Sequence, residues 1–228
     1  MERDIRSNLR SVEARITAAC ERSGRSPDEI TLVAVSKTFA AEDLDEAIRA
    51  GIADLGENRV QELKTKALAL QGRARFHLIG HLQSNKAKDA VMLFDVIQTI
   101  DSASLARRVD RFAAEAGRSI EALIQVNVGG ELQKSGVPPA EVESLARVVR
   151  SLEHVTLAGL MAIPPVANDE KTRQYFRETK RIRDELEQRL GPGSLPELSI
   201  GMSDDYEVAI EEGATMIRVG RAIFGERG

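Results

Sequence analysis

Two kinds of segment alternate along the 228-residue chain. Short apolar, β-branched runs lack polar alternation, which is typical of strands buried on both faces, and longer amphipathic stretches with a helical period separate them. The predicted strands are residues 31–36, 52–55, 76–80, 95–99, 120–128, 155–161, 197–201 and 215–219. The predicted helices are residues 3–23, 41–50, 57–71, 83–93, 102–117, 138–152, 169–190 and 204–212.

This order predicts an α/β protein that forms a single (β/α)8 TIM-type barrel with an extra N-terminal helix, because strands joined by helical crossovers pair in parallel. A doubly wound open sheet is the alternative, since short strands such as residues 52–55 are easily over-assigned. The breaker-rich segment 191–196 falls between a helix and a strand and predicts a loop, not a linker. We therefore expect one domain over residues 1–228.

Composition narrows the function classes. The net charge is −4 and basic residues are interleaved with acidic ones, which gives no electrostatic reason to expect nucleic-acid or membrane binding. No stretch approaches the ~20 apolar residues of a membrane span, and no apolar signal region follows Met1. Cys20 is the only cysteine, so no intramolecular disulfide can form. We expect a cytoplasmic protein, and a monomer because no predicted helix has an apolar outer face.

Lys37 is the first candidate for chemistry, because it ends the apolar run of residues 31–37. An amine at that place is costly to bury unless it is paired or chemically useful. Desolvation favours the neutral amine, which can attack an aldehyde and form a Schiff base.

A second candidate region follows the last two predicted strands, where barrels often bind phosphate. Ser203 precedes a helix and Gly220-Arg221 precede a short final turn, and backbone N–H groups at helix N-termini attract anions. The alternative for Ser203 is a plain helix N-cap, with Asp204 and Asp205 complementing the helix dipole. If the region binds phosphate, these two carboxylates must point away from it.

Arg218 lies inside an apolar strand and cannot shed its charge, so it needs an acceptor. A structural ion pair, for example with Glu57, is one possibility. The combination of a Schiff-base lysine, a phosphate site and an inward-facing arginine instead suits pyridoxal 5'-phosphate. Its aldehyde would meet Lys37, its phosphate the Ser203 and Gly220 region, and its ring nitrogen Arg218. A cofactor-free Schiff-base aldolase on the same barrel is a further hypothesis.

Six motifs cover nearly the whole chain. They are Ala34-Val-Ser-Lys37, Gly56-Glu-Asn58 with Gln61-Glu62, Phe76-His-Leu-Ile-Gly-His-Leu-Gln-Ser-Asn-Lys86, Gly159-Leu-Met-Ala-Ile-Pro164, Leu198-Ser-Ile-Gly-Met-Ser-Asp-Asp205 and Ile217-Arg-Val-Gly-Arg-Ala-Ile-Phe-Gly225. In this order they resemble the YggS/PROSC family, the pyridoxal phosphate homeostasis proteins. Members of that family are similar to the barrel domain of bacterial alanine racemase.

The resemblance implies a set of cofactor contacts. Lys37 bears the cofactor, Arg218 faces the pyridine nitrogen, and Ser203 with the backbone of Gly220 and Arg221 holds the phosphate. Arg221 stands where a small hydroxyl residue is common in the family, so a side-chain contact to phosphate is not implied at residue 221. Phe76 stands where tryptophan is common. The expected cofactor-binding residues are Lys37, Asn58, Met202, Ser203, Arg218, Gly220 and Arg221.

The expected function is a carrier that buffers pyridoxal phosphate, regulates vitamin B6 and linked amino-acid homeostasis, and meets apo-enzymes transiently. An arginine at the ring nitrogen favours the unprotonated pyridine, which restrains carbanion chemistry. A racemase also needs an opposing acid/base, which alanine racemase takes from a second domain; this chain ends at Gly228, and Tyr175 and Tyr206 fall in helical patterns. The alternative is a small pyridoxal-phosphate-dependent amino-acid racemase or lyase, and weak racemase-like activity is compatible with either.

Two further features carry less weight. His77 and His81 are spaced for a metal on a helix, but their segment predicts strand and loop, so we expect no metal and a hydrogen-bonded barrel residue at His77. Lys134 is interpreted as a solvated loop lysine, with a secondary aldehyde or phosphate contact as the alternative.

Overall fold

The computed structural model describes residues 4–37, 39–70, 72–131, 135–165 and 167–225, so Lys134 lies outside the described residues. Eight parallel strands follow one another around a closed barrel. They are β1 (Thr31–Val35), β2 (Asp54–Glu57), β3 (Arg75–Leu78), β4 (Val96–Ile100), β5 (Ile120–Val126), β6 (Val155–Ala162), β7 (Glu197–Met202) and β8 (Met216–Val219).

Helices surround the barrel. They are α1 (Ile5–Ser23), α2 (Ala41–Arg49), α3 (Val60–Leu70), α4 (Ala87–Leu93), α5 (Ala103–Ala116), α6 (Val142–Arg150), α7 (Asp169–Leu190), α8 (Tyr206–Glu211) and α9 (Arg221–Phe224). No helix in the described part of the chain is long and apolar enough to cross a membrane.

The predicted barrel is confirmed, and the open-sheet alternative is wrong because β1 pairs with β8 over the register Thr31↔Met216 to Ala34↔Val219. The doubtful strand at residues 52–55 exists, shifted to Asp54–Glu57, where it bonds to both β1 and β3. The helix predicted from residue 204 begins at Tyr206, because a turn comes first: the Asp205 N–H donates to the Met202 carbonyl.

The barrel interior has an apolar side and a polar side. Buried side chains of β4, β5 and β6 form a small apolar cluster separate from the main core between strands and helices: Val96, Leu123, Ala158 and Met161. Gln98, two residues after Val96 on β4, shares its face of the strand and is also buried. Other buried polar residues are His77 on β3, Ser199 on β7 and Arg218 on β8. The polar side therefore leads toward the end of β8, where the candidate site lies.

Candidate functional site

A cavity of about 370 Å³ lies at the carboxyl ends of the strands. The topology brings these ends together at one face of the barrel, where the loops after the strands form the site. All seven cofactor-binding residues predicted from the sequence line this cavity: Lys37, Asn58, Met202, Ser203, Arg218, Gly220 and Arg221. The four other lining residues are Val35, Ile79, Ile163 and Asp204.

The main chain around Ser36 sets the position of Lys37. The Ser36 N–H donates to the Gly56 carbonyl at 2.9 Å, which continues the β1–β2 ladder by one residue. The Ser36 carbonyl accepts from the Phe39 N–H at 3.2 Å and closes a tight turn. Lys37 is the second residue of that turn, and it lines the cavity two residues after the end of β1.

Arg218 is buried and lines the cavity. Its Nη1 donates to Ser199 Oγ at 2.6 Å and its Nη2 to the Ala162 carbonyl at 3.0 Å. Burial lowers the pKa of Arg218 to about 10, although the nearby charge of Asp205 acts in the opposite direction. The guanidinium is therefore charged at neutral pH, and its hydrogen-bond partners are neutral oxygen atoms.

The suggested ion pair between Arg218 and Glu57 is wrong. The buried Glu57 carboxylate accepts from Lys66 Nζ at 2.8 Å and from Ser36 Oγ at 2.9 Å. Lys66 Nζ also donates to the Ser36 carbonyl at 3.1 Å. Burial raises the pKa of the Glu57 carboxyl, and the contacts with Lys66 and Ser36 oppose this rise. The pair therefore fixes the residue that precedes Lys37.

Sequence reasoning missed Lys66. It lies on α3, and nothing in the spacing distinguishes it from Lys64, which is 63% exposed on the same helix. The side chain of Lys66 is only 11% exposed because it folds over Glu57 at the end of β2. Only Glu57, a carboxylate at the end of a buried strand, indicated in the sequence that a basic partner was needed there.

Ser203 joins the loops after β7 and β8. Its Oγ accepts from the Gly220 N–H at 3.2 Å, and the residue that caps α8 is Asp205. The interpretation of Ser203 as an N-cap is therefore wrong. Gly220 precedes α9, whose first N–H groups have no partner within the helix, as at any helix start. Hydroxyl and backbone donors thus meet at one end of the cavity.

The two aspartates after Ser203 behave differently. Asp205 Oδ1 accepts from the Met202 N–H at 2.6 Å, so this carboxylate turns back to the main chain, and its burial raises its pKa. Asp204 contributes to the lining of the cavity, and its side chain is 80% exposed. Its charge is compensated by an ion pair with the side chain of Arg221. The side chain of Arg221 therefore forms its ion pair with Asp204.

Comparison with known protein families identifies the class of protein to which this closed barrel and its cavity belong. Residues 7–228 match the family model described as alanine racemase, N-terminal domain. The pyridoxal phosphate homeostasis protein of Aquifex aeolicus is 42% identical over 221 residues, which cover 96% of each chain. The protein of that name from Escherichia coli K12 is 43% identical over 232 residues, covering 98% of this chain and 97% of the relative.

Solved structures agree. PipY of Synechococcus elongatus PCC7942, solved with PLP bound, has a TM-score of 0.84 at 38% identity and covers 97% of this chain and 100% of its own. An alanine racemase of Clostridium difficile 630 has a TM-score of 0.75 at 16% identity over 98% of this chain and 57% of the racemase, which shows a shared fold. The chain therefore belongs to the pyridoxal phosphate homeostasis proteins, as its motifs indicate.

Proposed function

We propose that this protein binds pyridoxal 5'-phosphate in the cavity at the carboxyl ends of the strands and acts as a carrier that buffers it for vitamin B6 homeostasis. The observation that carries the proposal is the convergence of an amine, a buried guanidinium and a hydroxyl-backbone site on one cavity. Relatives that bear the homeostasis name, and the PipY structure with PLP bound, support it.

The donor set fits this cofactor. The cavity volume of about 370 Å³ falls in the range of small-molecule sites. When bound, pyridoxal phosphate supplies an aldehyde that can link to an amine and a pyridine ring that withdraws electrons. Lys37 Nζ would hold the aldehyde, and the loops that carry Ser203, Gly220 and Arg221 would hold the phosphate.

Arg218 would face the ring nitrogen. Neutral oxygens hold its guanidinium, and no carboxylate of the described residues bonds to it directly. The remaining N–H groups of the five in a guanidinium can donate to an acceptor in the cavity. Asn58 and Met202 would lie beside the ring, since both line the cavity.

The residues around the cavity favour a carrier over a racemase or a lyase. A charged arginine that donates to the ring nitrogen keeps that nitrogen unprotonated, which weakens the ring as an electron sink. None of the described residues that line the cavity is a tyrosine or a histidine. Tyr206, the first residue of α8, is buried with Arg15 over its ring and is not among the residues that line the cavity.

The rim of the cavity suits reversible exchange. Ile163 and Met202, which line it, are 36% and 39% exposed. A bound ring edge beside them would be reachable by a transient partner. We therefore propose that a cytoplasmic monomer hands the cofactor to apo-enzymes during brief encounters.

Borohydride reduction after incubation with pyridoxal phosphate, followed by peptide mapping, tests the proposal. We expect the label on Lys37 and none in Lys37→Ala. The matched control is Lys64→Met, which removes an exposed amine of α3 outside the cavity and should keep the label on residue 37. Label on another lysine would overturn the assignment. Sustained interconversion of amino-acid enantiomers that depends on Lys37 would favour the racemase alternative.

A further inference from the structure

A continuous chain of hydrogen bonds crosses the barrel interior and ends at Arg218. Asp54 Oδ1 lies 2.7 Å from His77 Nε2, and His77 Nδ1 lies 3.0 Å from Gln98 Nε2. Gln98 Oε1 then accepts from Ser199 Oγ at 2.7 Å, and Ser199 Oγ accepts from Arg218 Nη1 at 2.6 Å. We call these five residues the interior chain. It joins β2, β3 and β4 to β7 and β8 across the barrel.

All donors in the interior chain point the same way. Arg218 donates to Ser199, whose hydroxyl hydrogen goes to the amide oxygen of Gln98. The amide nitrogen of Gln98 has two hydrogens, and its neighbours are His77 Nδ1 and Met216 Sδ, the latter at 2.9 Å. His77 must therefore accept at Nδ1 and carry its proton on Nε2, which faces the carboxylate of Asp54.

The reverse direction is unfavourable. If the Gln98 amide turned over, its N–H groups would point at Ser199 and its oxygen at the lone pair of His77 Nδ1. Ser199 Oγ would then receive donors from both Gln98 and Arg218, and its own hydrogen would lose its acceptor. Asp54, by favouring the proton on His77 Nε2, favours the direction in which the Ser199 hydroxyl hydrogen has an acceptor while its oxygen accepts from Arg218.

The residues of the interior chain have a role beyond packing the barrel interior. Beside the chain lies the apolar cluster of Val96, Leu123, Ala158 and Met161, which shows that apolar side chains also fill this barrel. Buried polar groups cost stability relative to such packing unless every one is satisfied. At the cavity end the chain terminates in Arg218, which points to a role at the cavity.

We propose that Ser199, Gln98 and His77 are positioning residues that hold the Arg218 guanidinium so that its other N–H groups serve the cavity. Asp54 favours this direction, but the acceptor opposite the Gln98 amide nitrogen is what the chain requires. The inference rests on the proposed function only in taking a ring nitrogen as the acceptor of Arg218. Orientation of Arg218 by the chain is a property of the ligand-free protein.

Two substitutions of His77 separate the two halves of its role. In His77→Asn the side-chain oxygen replaces Nδ1 and still accepts from Gln98. In His77→Gln the side-chain amide replaces Nε2, keeps the contact with Asp54 and leaves the Gln98 amide without its acceptor. Affinity for pyridoxal phosphate should stay near wild type in His77→Asn and fall about tenfold in His77→Gln and in Ser199→Ala, as for a lost hydrogen bond to a charged group.

The matched control is Thr99→Val. Thr99 neighbours Gln98 and donates a buried hydrogen bond to the Gly80 carbonyl at 2.9 Å, with no connection to Arg218. This variant should lose stability, but its affinity and the absorption maximum of the lysine-linked cofactor should not change. If His77→Gln does not fold, Ser199→Ala decides, because it removes a single oxygen atom.

Nitrogen-15 NMR of the ligand-free protein gives a readout that needs no cofactor. We expect His77 to carry its proton on Nε2, and the guanidinium signal of Arg218 to shift in Ser199→Ala and His77→Gln but not in Thr99→Val. A proton on Nδ1, or equal effects of His77→Asn and His77→Gln, would overturn the inference. Failure of wild-type protein to bind pyridoxal phosphate would refute the proposed function, while the NMR result would still decide the interior chain.

Discussion

Arg218 and the Glu57–Lys66 pair are both buried charged groups at the carboxyl ends of strands, but they are satisfied in opposite ways. Glu57 Oε1 accepts from Lys66 Nζ at 2.8 Å, whereas Glu57 Oε2 is buried and has no hydrogen-bond partner in the described part of the chain. Arg218 has a serine hydroxyl and a main-chain carbonyl as partners, and it lines the cavity. A closed pair holds the main chain in place, whereas a buried charge with neutral partners remains able to bind an acceptor. The comparison predicts that the two regions respond differently to substitution.

Breaking the closed pair should have the largest effect on stability. Lys66→Met leaves the Glu57 carboxylate buried without its cation, which costs about 3 kcal/mol in the free energy of unfolding. The double variant Glu57→Gln with Lys66→Met should recover most of this loss, because no charge is left buried. Urea unfolding followed by circular dichroism measures both. A single variant as stable as wild type would show that the pair is not closed in solution.

Removing the cation with neutral partners should affect binding more than folding. Arg218→Met leaves no hydrogen-bonded carboxylate without its partner, so its loss of stability should be smaller than that of Lys66→Met. Its affinity for pyridoxal phosphate should fall by about 2 kcal/mol, or roughly 30-fold, the value of a hydrogen bond from a charged donor. Absorbance titration measures the affinity. Unchanged affinity would contradict the placement of Arg218 at the ring nitrogen.

A smaller effect is expected at the phosphate end of the cavity. Ser203→Ala removes the acceptor of the Gly220 N–H and should weaken pyridoxal phosphate binding by about 1 kcal/mol. Binding of pyridoxal, which lacks the phosphate, should hardly change. Parallel titrations with the two aldehydes test this. An equal loss for both would place Ser203 away from the phosphate.

The smallest effect concerns Asp205. Burial raises its pKa, so its protonated form is favoured in the native state. The stability gained from protonation is present below the ordinary carboxyl pKa and is lost as pH rises through the raised native value. Asp205→Asn keeps an acceptor for the Met202 N–H and should be more stable than wild type by about 1 kcal/mol or less near pH 7. The difference should shrink as the pH falls toward the ordinary carboxyl pKa. Urea unfolding near pH 7 and at the lower pH tests the sign.

Much of the site could be predicted because each of its key residues breaks a local pattern. Lys37 and Arg218 are charged residues at the end of or within apolar runs, and in a parallel barrel the ends of all strands meet at one face. The polar partners could not be predicted. Gln98 and Ser199 are 101 residues apart, and only closure of the barrel brings β4 and β7 to opposite sides of one interior. The contact between Asp204 and Arg221 likewise depends on how the loops after β7 and β8 lie side by side.

The sequence by itself determined the alternation of strands and helices, because hydrophobic period acts locally, and this alternation predicted the barrel. It singled out Lys37, Ser203 and Arg218 as candidates, whereas Asn58 and Met202 were expected only from the resemblance to the family. Only the tertiary structure decided how the buried charges are satisfied. Glu57 forms an ion pair with Lys66, and Arg218 donates hydrogen bonds to Ser199 and to the Ala162 carbonyl. The physical reason is that a buried polar group must find its partner within about 3 Å, and barrel closure determines which groups come that close.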